Sequence, residues 1–120
     1  ELTDEPENIM VAELVREAAL EGVRDELPHS LAVMVDEINE RPGRTQAQGP
    51  LLDVHVTIFV ERQSQKAIVI GAKGSRLCEV GSRSREGIEA LLGTRVFLDL
   101  HVKVAKDWQR DPKQLQRLGF

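Results

Sequence analysis

Residues 95–104, RVFLDLHVKV, alternate apolar and polar side chains without a break. Because the side chains of a strand point alternately to its two faces, this period of two predicts a strand with one apolar face. That face carries Val96, Leu98, Leu100, Val102 and Val104. A sheet with one apolar face must be covered by a second layer, and this requirement limits the folds open to the chain.

Two earlier segments also have the character of strands. Residues 30–38 contain the β-branched residues Val33 and Val35, and residues 53–60 alternate as 95–104 do. From its length and polar surroundings we expect 53–60 to lie at the edge of a small sheet. The intervening ERPGRTQAQGP has the glycine and proline content of a loop.

Two segments predict long amphipathic helices. Residues 8–24 and 75–92 each place apolar or small residues three and four positions apart. Within the second segment, Gly81 and Ser84 would allow another backbone to come close. Gly93 follows it, at a position where a left-handed residue commonly ends a helix.

Residues 61–70 are ambiguous on their own. The run KAIVI favours the return strand of a hairpin, whereas Ser64 could begin a short helix. Further on, the sequence predicts a short C-terminal helix that is capped by Asp111, carries Pro112 at its first position and is stopped by Gly119.

These elements predict a single domain with an α/β (α+β) two-layer sandwich, in which three strands carry helices on one face and leave the other face in water. The chain of 120 residues contains one cysteine, Cys78, so no disulfide can form within it, which fits a reducing compartment. No apolar run approaches the length of a membrane span, and the acidic N-terminus does not have the pattern of a signal peptide.

Charge is distributed unevenly along the chain. Residues 1–40 contain 12 acidic and 2 basic residues, whereas 41–120 contain 14 basic and 8 acidic residues, within a net charge of −4. Six of the basic residues fall within 62–85 against the single acid Glu79. Because screening leaves only charges within about 8–10 Å of a ligand effective, this segment favours a polyanionic partner despite the acidic total. A charged, solvated surface is the alternative.

The stretch AIVIGAKGSRL, residues 67–77, places Gly71 and Gly74 around a basic tip. Gly71 could adopt a positive φ, and Gly74 would begin the 75–92 helix without a Cβ in the way of a ligand. The free N–H groups at a helix N-terminus favour anions, and Lys73 adds a positive charge. A nucleic-acid phosphate suits such a site.

In this context the stretch resembles the G-x-x-G loop of the KH domain, an RNA-binding module that clamps about four nucleotides. The resemblance implies a short helix at 64–70 rather than a strand. An N-terminal helix and strand before the loop resemble the type II arrangement, which implies a three-stranded mixed sheet.

Longer stretches narrow the resemblance. VAELVRE, ELPHSLAV, VERQSQKAIVIGAKGSRLCEVGSRSREGIEALLG and LDLHVKVAKDWQRDPKQLQRLGF are together similar to the C-terminal domain of the Era family of bacterial GTPases. The closing W-x₆-L-x₂-L-G-F pattern separates this family from the KH domains of ribosomal proteins and of the transcription factor NusA. The resemblance implies a linker at 1–7 that follows a missing GTPase domain, a KH domain at 8–107 and a helical tail at 108–120.

The resemblance implies only a part of the family's activity for this chain. The chain lacks a G-x-x-x-x-G-K-[S/T] loop, so we expect no GTP hydrolysis by it, and GTP and magnesium are expected only in the absent GTPase domain. The resemblance implies binding to single-stranded RNA, namely the 3′ end of 16S rRNA during assembly of the small ribosomal subunit. It further implies a monomer in the cytoplasm that contacts the GTPase domain of its parent, which could also associate peripherally with the inner membrane.

Ten residues are expected to bind the RNA. Phosphate and sugar contacts are expected at the loop, bases would rest on an apolar floor that includes Ile70 and Leu77, and basic side chains would line one side. Ile68 is better explained as core, and Arg62 and Lys66 as readily by a solvated surface. Backbone groups of 96–102 would read the bases. The ten residues are Lys66, Ile70, Gly71, Ala72, Lys73, Gly74, Ser75, Arg76, Leu77 and Arg83.

The sequence offers no catalytic or metal-binding set. His29, His55 and His101 are scattered without ligand spacing, and the last two are expected to be ordinary exposed residues. Cys78 has no histidine partner nearby and is expected to face the core or its margin. Trp108 is expected to pack the C-terminal helix on the sheet. The alternatives to the Era-like interpretation are a protein-interaction module, with the glycine loop as a plain turn, and another type II KH domain of ribosomal-protein or NusA type.

Overall fold

A computed structural model describes residues 6–23, 27 and 31–105. Two long helices and three ten-residue strands make up most of this part of the chain. In chain order the elements are α1 (Pro6–Leu20), β1 (Leu31–Glu40), β2 (Leu51–Val60), α2 (Gln63–Ile70), a 3₁₀ turn (Ala72–Gly74), α3 (Ser75–Leu92) and β3 (Arg95–Val104).

The three strands form one mixed sheet in the order β1-β2-β3. β1 pairs antiparallel with β2, and β2 pairs parallel with β3, with Leu51 opposite Arg95 and Val60 opposite Val104. The expected three-stranded mixed sheet with helices is confirmed. The expectation that 53–60 forms an edge is wrong, because β2 is the central strand. Its Val54, Val56, Ile58 and Val60 are fully buried.

The core lies between the sheet and the two long helices. Val11 and Val15 of α1 and Val80 and Ile88 of α3 are buried against the apolar face of the sheet. The helices come close to each other at Gly87, where an added Cβ would lie 3.2 Å from Leu14 Cδ2. The close approach expected at Gly81 is found instead at Gly87, since an added Cβ at Gly81 would meet only the Leu100 side chain, at 3.7 Å.

The short segment after β2 is a helix, as the resemblance implied. Both edges of β2 are occupied by β1 and β3, so a return strand after Val60 would have no edge of β2 to pair with. The Gln65 side chain reaches back and accepts hydrogen bonds from the N–H groups of Glu61 (3.0 Å) and Arg62 (2.9 Å), which satisfies donors at the start of α2.

Several predicted boundaries move by a few residues. α1 begins at Pro6 rather than residue 8 and ends at Leu20 rather than 24, since the chain turns at Gly22 with φ +79°. The αL residue expected after α3 is Gly93, with φ 73° and ψ 23°. Residues 1–5 and 106–120 lie outside the described residues, so most of the expected linker, Trp108 and the C-terminal helix stay predictions.

The other face of the sheet carries a polar network. Asp99 Oδ2 accepts hydrogen bonds from His55 Nδ1 and His101 Nε2, each at 3.0 Å. The bond from His55, aided by that from His101, holds the pKa of Asp99 below its usual range although partial burial opposes the shift. The two histidines are therefore not merely exposed side chains, because they share one carboxylate.

Candidate nucleic-acid interface

The loop between α2 and α3 has an unusual backbone at three of its four residues. Gly71 has φ 75° and ψ 177°, a region open essentially to glycine alone. Lys73 is left-handed at φ 56°, and Gly74 follows at φ 78°. The chain thus turns sharply from one helix into the next, and Ala72 and Lys73 lie exposed at the tip.

Space as well as conformation requires glycine at residue 71. A Cβ there would lie 2.6 Å from Arg76 Cβ and 2.9 Å from Arg76 N, closer than real atoms approach. At Gly74 an added Cβ would meet nothing within 4 Å, so only its positive φ disfavours other residues. The first glycine closes the loop against α3, and the second leaves open space beside the start of the helix.

The N-terminus of α3 is available to an anion. Its N-cap residue is Gly74, which has no side chain to cap the helix, and Ser75 is exposed. The N–H of Ser75 donates to the carbonyl oxygen of Ala72 in the preceding turn, and the N–H groups that follow lie at the positive end of the helix dipole. With Lys73 beside them, these groups can bind a phosphate.

A groove runs from this loop between α3 and β3. It has a volume of about 580 Å³ and an open mouth, with small and apolar residues along its floor and two arginines near its far end. The residues that line it are Leu51, Gly74, Leu77, Cys78, Gly81, Ser82, Arg85, Arg95, Val96, Phe97, Leu98 and Leu100.

A G-x-x-G turn that joins two helices beside the edge strand of a three-stranded sheet is the arrangement of a KH domain. The family model described as KH domain matches residues 26–109 of the sequence. The chain belongs to the KH domain family.

Two relatives of this KH domain share the name GTPase Era. GTPase Era of Streptomyces coelicolor is 71% identical over 120 residues, which are 100% of this chain and 38% of the relative. GTPase Era of Mycobacterium tuberculosis H37Rv is 67% identical, with 39% of it covered. The chain thus spans well under half the length of these curated relatives. The predicted resemblance of the KH domain to Era is confirmed.

Solved structures of Era have the same fold. One is Era in complex with MgGDPNP and nucleotides 1506–1542 of 16S ribosomal RNA, with a TM-score of 0.83 and 42% identity over 97% of this chain and 37% of that one. An Aquifex aeolicus Era variant bound to GDP and AlF₄⁻ matches with the same values. The predicted type II architecture is therefore confirmed.

The structure brings only some of the ten predicted RNA-binding residues to this groove. Gly74 and Leu77 line it, and Ala72, Lys73 and Ser75 lie exposed at its head. Lys66 and Ile70 belong to α2 and are partly buried, Ile70 against the core, and neither lines the groove. Ile68 also packs on the core, as expected.

Arg76 does not line the groove, although it was expected to bind RNA there. Its terminal nitrogen Nη2 donates hydrogen bonds to the carbonyl oxygens of Ala19 (2.8 Å) and Glu21 (2.6 Å), at the C-terminal end of α1. A cation suits this position because the last carbonyls of a helix lack partners and carry partial negative charge. Arg76 therefore anchors α1 to α3 in place of the groove contact predicted for it.

Arg83 also lies on the α1 side of α3. It forms an ion pair with Glu21 and lies 3.7 Å from Glu79, its neighbour one turn earlier. Together with Leu14, Glu17, Ala18 and Gly22 it lines a separate recess between the helices. The expected placement of Arg83 along the RNA groove is thus wrong, since the groove lies on the other side of α3.

Other residues line the groove in place of Arg76 and Arg83, and the sequence did not predict them. Arg85 and Ser82 of α3 and Arg95 at the start of β3 line the groove. Cys78, expected at the core or its margin, is exposed and lines the groove too. Gly74, Cys78, Gly81 and Arg85 recur every three or four residues, so the helical period that predicted the buried face could also have identified this second face.

Residues 6–23, 27 and 31–105 were also searched for metal sites and membrane-spanning helices. These residues contain no group of three or more histidine, cysteine or acidic side chains able to hold a metal ion. Their helices are too short or too polar to cross a membrane.

Proposed function

We propose that this KH domain binds single-stranded RNA along the groove between α3 and β3. One observation carries the proposal: the loop places Lys73 and the uncapped N-terminus of α3 at the head of an apolar groove with Arg85 and Arg95 further along it. This arrangement combines a site for phosphate groups with an apolar surface for bases. A single strand of RNA offers both phosphates and unpaired bases.

Each part of the groove has a distinct task in this proposal. The loop and the N-terminus of α3 bind backbone phosphates, and Leu77, Leu98 and Leu100 contact the bases. β3 is the last strand in the sheet, so the backbone along its outer edge is available to hydrogen-bond base edges. Single-stranded RNA suits such a surface because its bases are unpaired and can be read on their edges.

The RNA that we propose is the 3′ end of 16S rRNA, within assembly of the small ribosomal subunit. Support comes from the Era structure that contains nucleotides 1506–1542 of 16S ribosomal RNA and has a TM-score of 0.83 to this chain. The relatives are named GTPases, and this chain covers 38% of the first of them. We assign GTP and magnesium binding to the rest of such a protein, which we place in the cytoplasm, and assign no catalysis to the KH domain.

The test measures binding of the domain to a labelled single-stranded RNA with the 3′-terminal 16S sequence, by fluorescence anisotropy. The variant Ala72→Asp/Lys73→Asp places two negative charges at the exposed tip and leaves both glycines intact. Its control is Ile9→Glu/Met10→Glu/Ala90→Glu, which changes the net charge equally at three exposed positions on α1 and α3 that do not line the groove.

We expect the loop variant to lose at least tenfold in affinity and the control to lose much less. The same RNA annealed to its complement should bind more weakly to the wild-type domain. Equal losses of affinity in the two variants would show that binding depends only on the net charge of the domain, and this result would contradict the proposal.

A further inference from the structure

Two hydrogen bonds at opposite ends of β3 show which of its backbone groups point outward from the sheet. The N–H of Ala105, directly after the strand, donates to the carbonyl oxygen of Val60 on β2 (2.8 Å), whereas the N–H of Val96 donates to Glu89 Oε2 on α3 (2.9 Å). Successive residues of a strand direct their N–H and C=O groups to alternate sides, and β3 pairs with β2 without a register shift. Every second residue from Val96 onward therefore directs these groups away from β2.

Two of the residues with outward backbone groups, besides Val96, lie in the groove. Leu98 and Leu100 line it together with Val96. Each of them offers one N–H donor and one C=O acceptor, and the pair on Leu98 lies about 6.6 Å along the strand from the pair on Leu100. At Val96 the N–H is already used by Glu89, so the edge with both groups available ends at Leu98.

Glu89 lies where this edge ends. It follows Arg85 by one turn on α3, and the same Oε2 that accepts the hydrogen bond from Val96 lies 3.5 Å from Arg85 Nη1. The Glu89 side chain is 28% exposed, so it is largely shielded from water. One carboxylate oxygen thus bridges α3 to β3 at the far end of the groove, beside an arginine that lines the groove.

A strand edge by itself gives a bound RNA no fixed register. Each outward residue repeats the same donor and acceptor, so a base that hydrogen-bonds to one residue could bond equally to the next. A hydrogen bond from Glu89 breaks this repeat because it removes the donor at Val96. Its carboxylate also places a negative charge there, which disfavours the acceptor atoms of a base.

We propose that Glu89 is a positioning residue that sets the register of the bound RNA, an inference that rests on the proposed RNA-binding function. By occupying the N–H of Val96, Glu89 ends the row of base contacts at Leu98. The next nucleotide along the strand then contributes no base contact, and the RNA binds in one position along the groove. Glu89 acts through the backbone of β3 and does not itself contact the RNA.

The test measures dissociation constants by fluorescence anisotropy for single-stranded RNA with the 3′-terminal 16S sequence and for strands with one abasic nucleotide at each position in turn. Glu89→Ala is compared with Glu89→Gln, whose amide oxygen can still accept the hydrogen bond from Val96. The matched control is Glu86→Ala, which removes the same side chain from an exposed position on α3 that does not line the groove. All are measured at a temperature at which circular dichroism shows each variant folded.

The abasic series shows which nucleotides make base contacts. We expect the same run of sensitive nucleotides in the wild type, Glu89→Gln and Glu86→Ala. In Glu89→Ala the run should gain one nucleotide at one end, where removal of the base should now weaken binding about two- to tenfold, the worth of a hydrogen bond.

The outcomes separate this inference from the proposed function. An unchanged run in Glu89→Ala, or a run that Glu89→Gln extends as far, would overturn the role of the Glu89 hydrogen bond while leaving RNA binding in the groove intact. A wild-type domain that binds no RNA would overturn both.

Discussion

A Cβ atom on Gly71 would lie 2.6 Å from the Cβ of Arg76, five residues later. The segment from Gly71 to Arg76 therefore has two structural roles. Gly71 must lack a side chain so that the loop can close on α3, and Arg76 extends from there to the carbonyl oxygens of Ala19 and Glu21. Closure of the loop and attachment of α1 therefore depend on one short segment.

The two glycines should respond differently to alanine. Gly71→Ala combines a disfavoured backbone with a steric clash and should lower the free energy of unfolding by about 3 kcal/mol or more. Gly74→Ala meets only the strain of its positive φ and should cost about 1 kcal/mol. Urea denaturation of both variants measures the difference, and equal losses would contradict the steric argument.

Arg76 is predicted to stabilise the fold. Arg76→Ala removes two hydrogen bonds to α1 and should lower the free energy of unfolding by about 2 kcal/mol. Arg83→Ala is the matched control, because its ion pair with Glu21 is more than half exposed and should be worth less than about 1 kcal/mol. Under conditions in which each variant is folded, both should bind RNA with an affinity within a few-fold of that of the wild type. A tenfold loss of affinity in either variant would show that its arginine contacts the RNA.

Lys73 can be tested without disturbing the loop. Asparagine tolerates the left-handed conformation, so Lys73→Asn should fold as stably as the wild type while losing one positive charge. If Lys73 contacts a phosphate, the slope of log affinity against log salt concentration should become shallower by about 0.7. Arg83→Gln, on the side of α3 that faces α1, is the control and should leave the slope unchanged. An unchanged slope in Lys73→Asn would rule out the contact.

Asp99 makes stability depend on pH. Hydrogen bonds from His55 and His101 hold its pKa below the usual value, so its contribution is present above about pH 4 and is lost as the pH falls through its lowered pKa. Asp99→Asn should therefore be less stable than the wild type at pH 7, and the difference should shrink towards pH 3. Urea denaturation at several pH values measures this, with Glu86→Gln, an exposed change on α3, as the control. A difference that stayed constant with pH would show that the carboxylate charge is not involved.

The periodic elements could be predicted because each has one dominant pattern. β3 was predicted at its observed bounds, and α3 was predicted from 75 to 92, because alternation and helical spacing there are uninterrupted. α2 is the exception. Its β-branched residues favour a strand locally, and only the occupied edges of β2 exclude one, which is a property of the whole sheet and not of residues 63–70.

The site was predictable in its loop but not in its arginines. Glycine spacing locates a bend, and the bend lies where it was predicted. Which of several arginines faces the groove depends on the side of α3 that α1 covers. Arg76 and Arg83, seven residues apart, share the side towards α1, and Arg85 lies on the other.

The most direct test of the central claim is an NMR titration of the ¹⁵N-labelled domain with single-stranded RNA. The account predicts that the amide resonances of the 71–75 loop, of Cys78 and Ser82 on α3, and of residues 95–100 shift together and saturate at one equivalent. Amides of α1 around Met10 should stay in place. Shifts centred on α1, with the loop and α3 unchanged, would contradict the assignment of this groove as the RNA-binding surface.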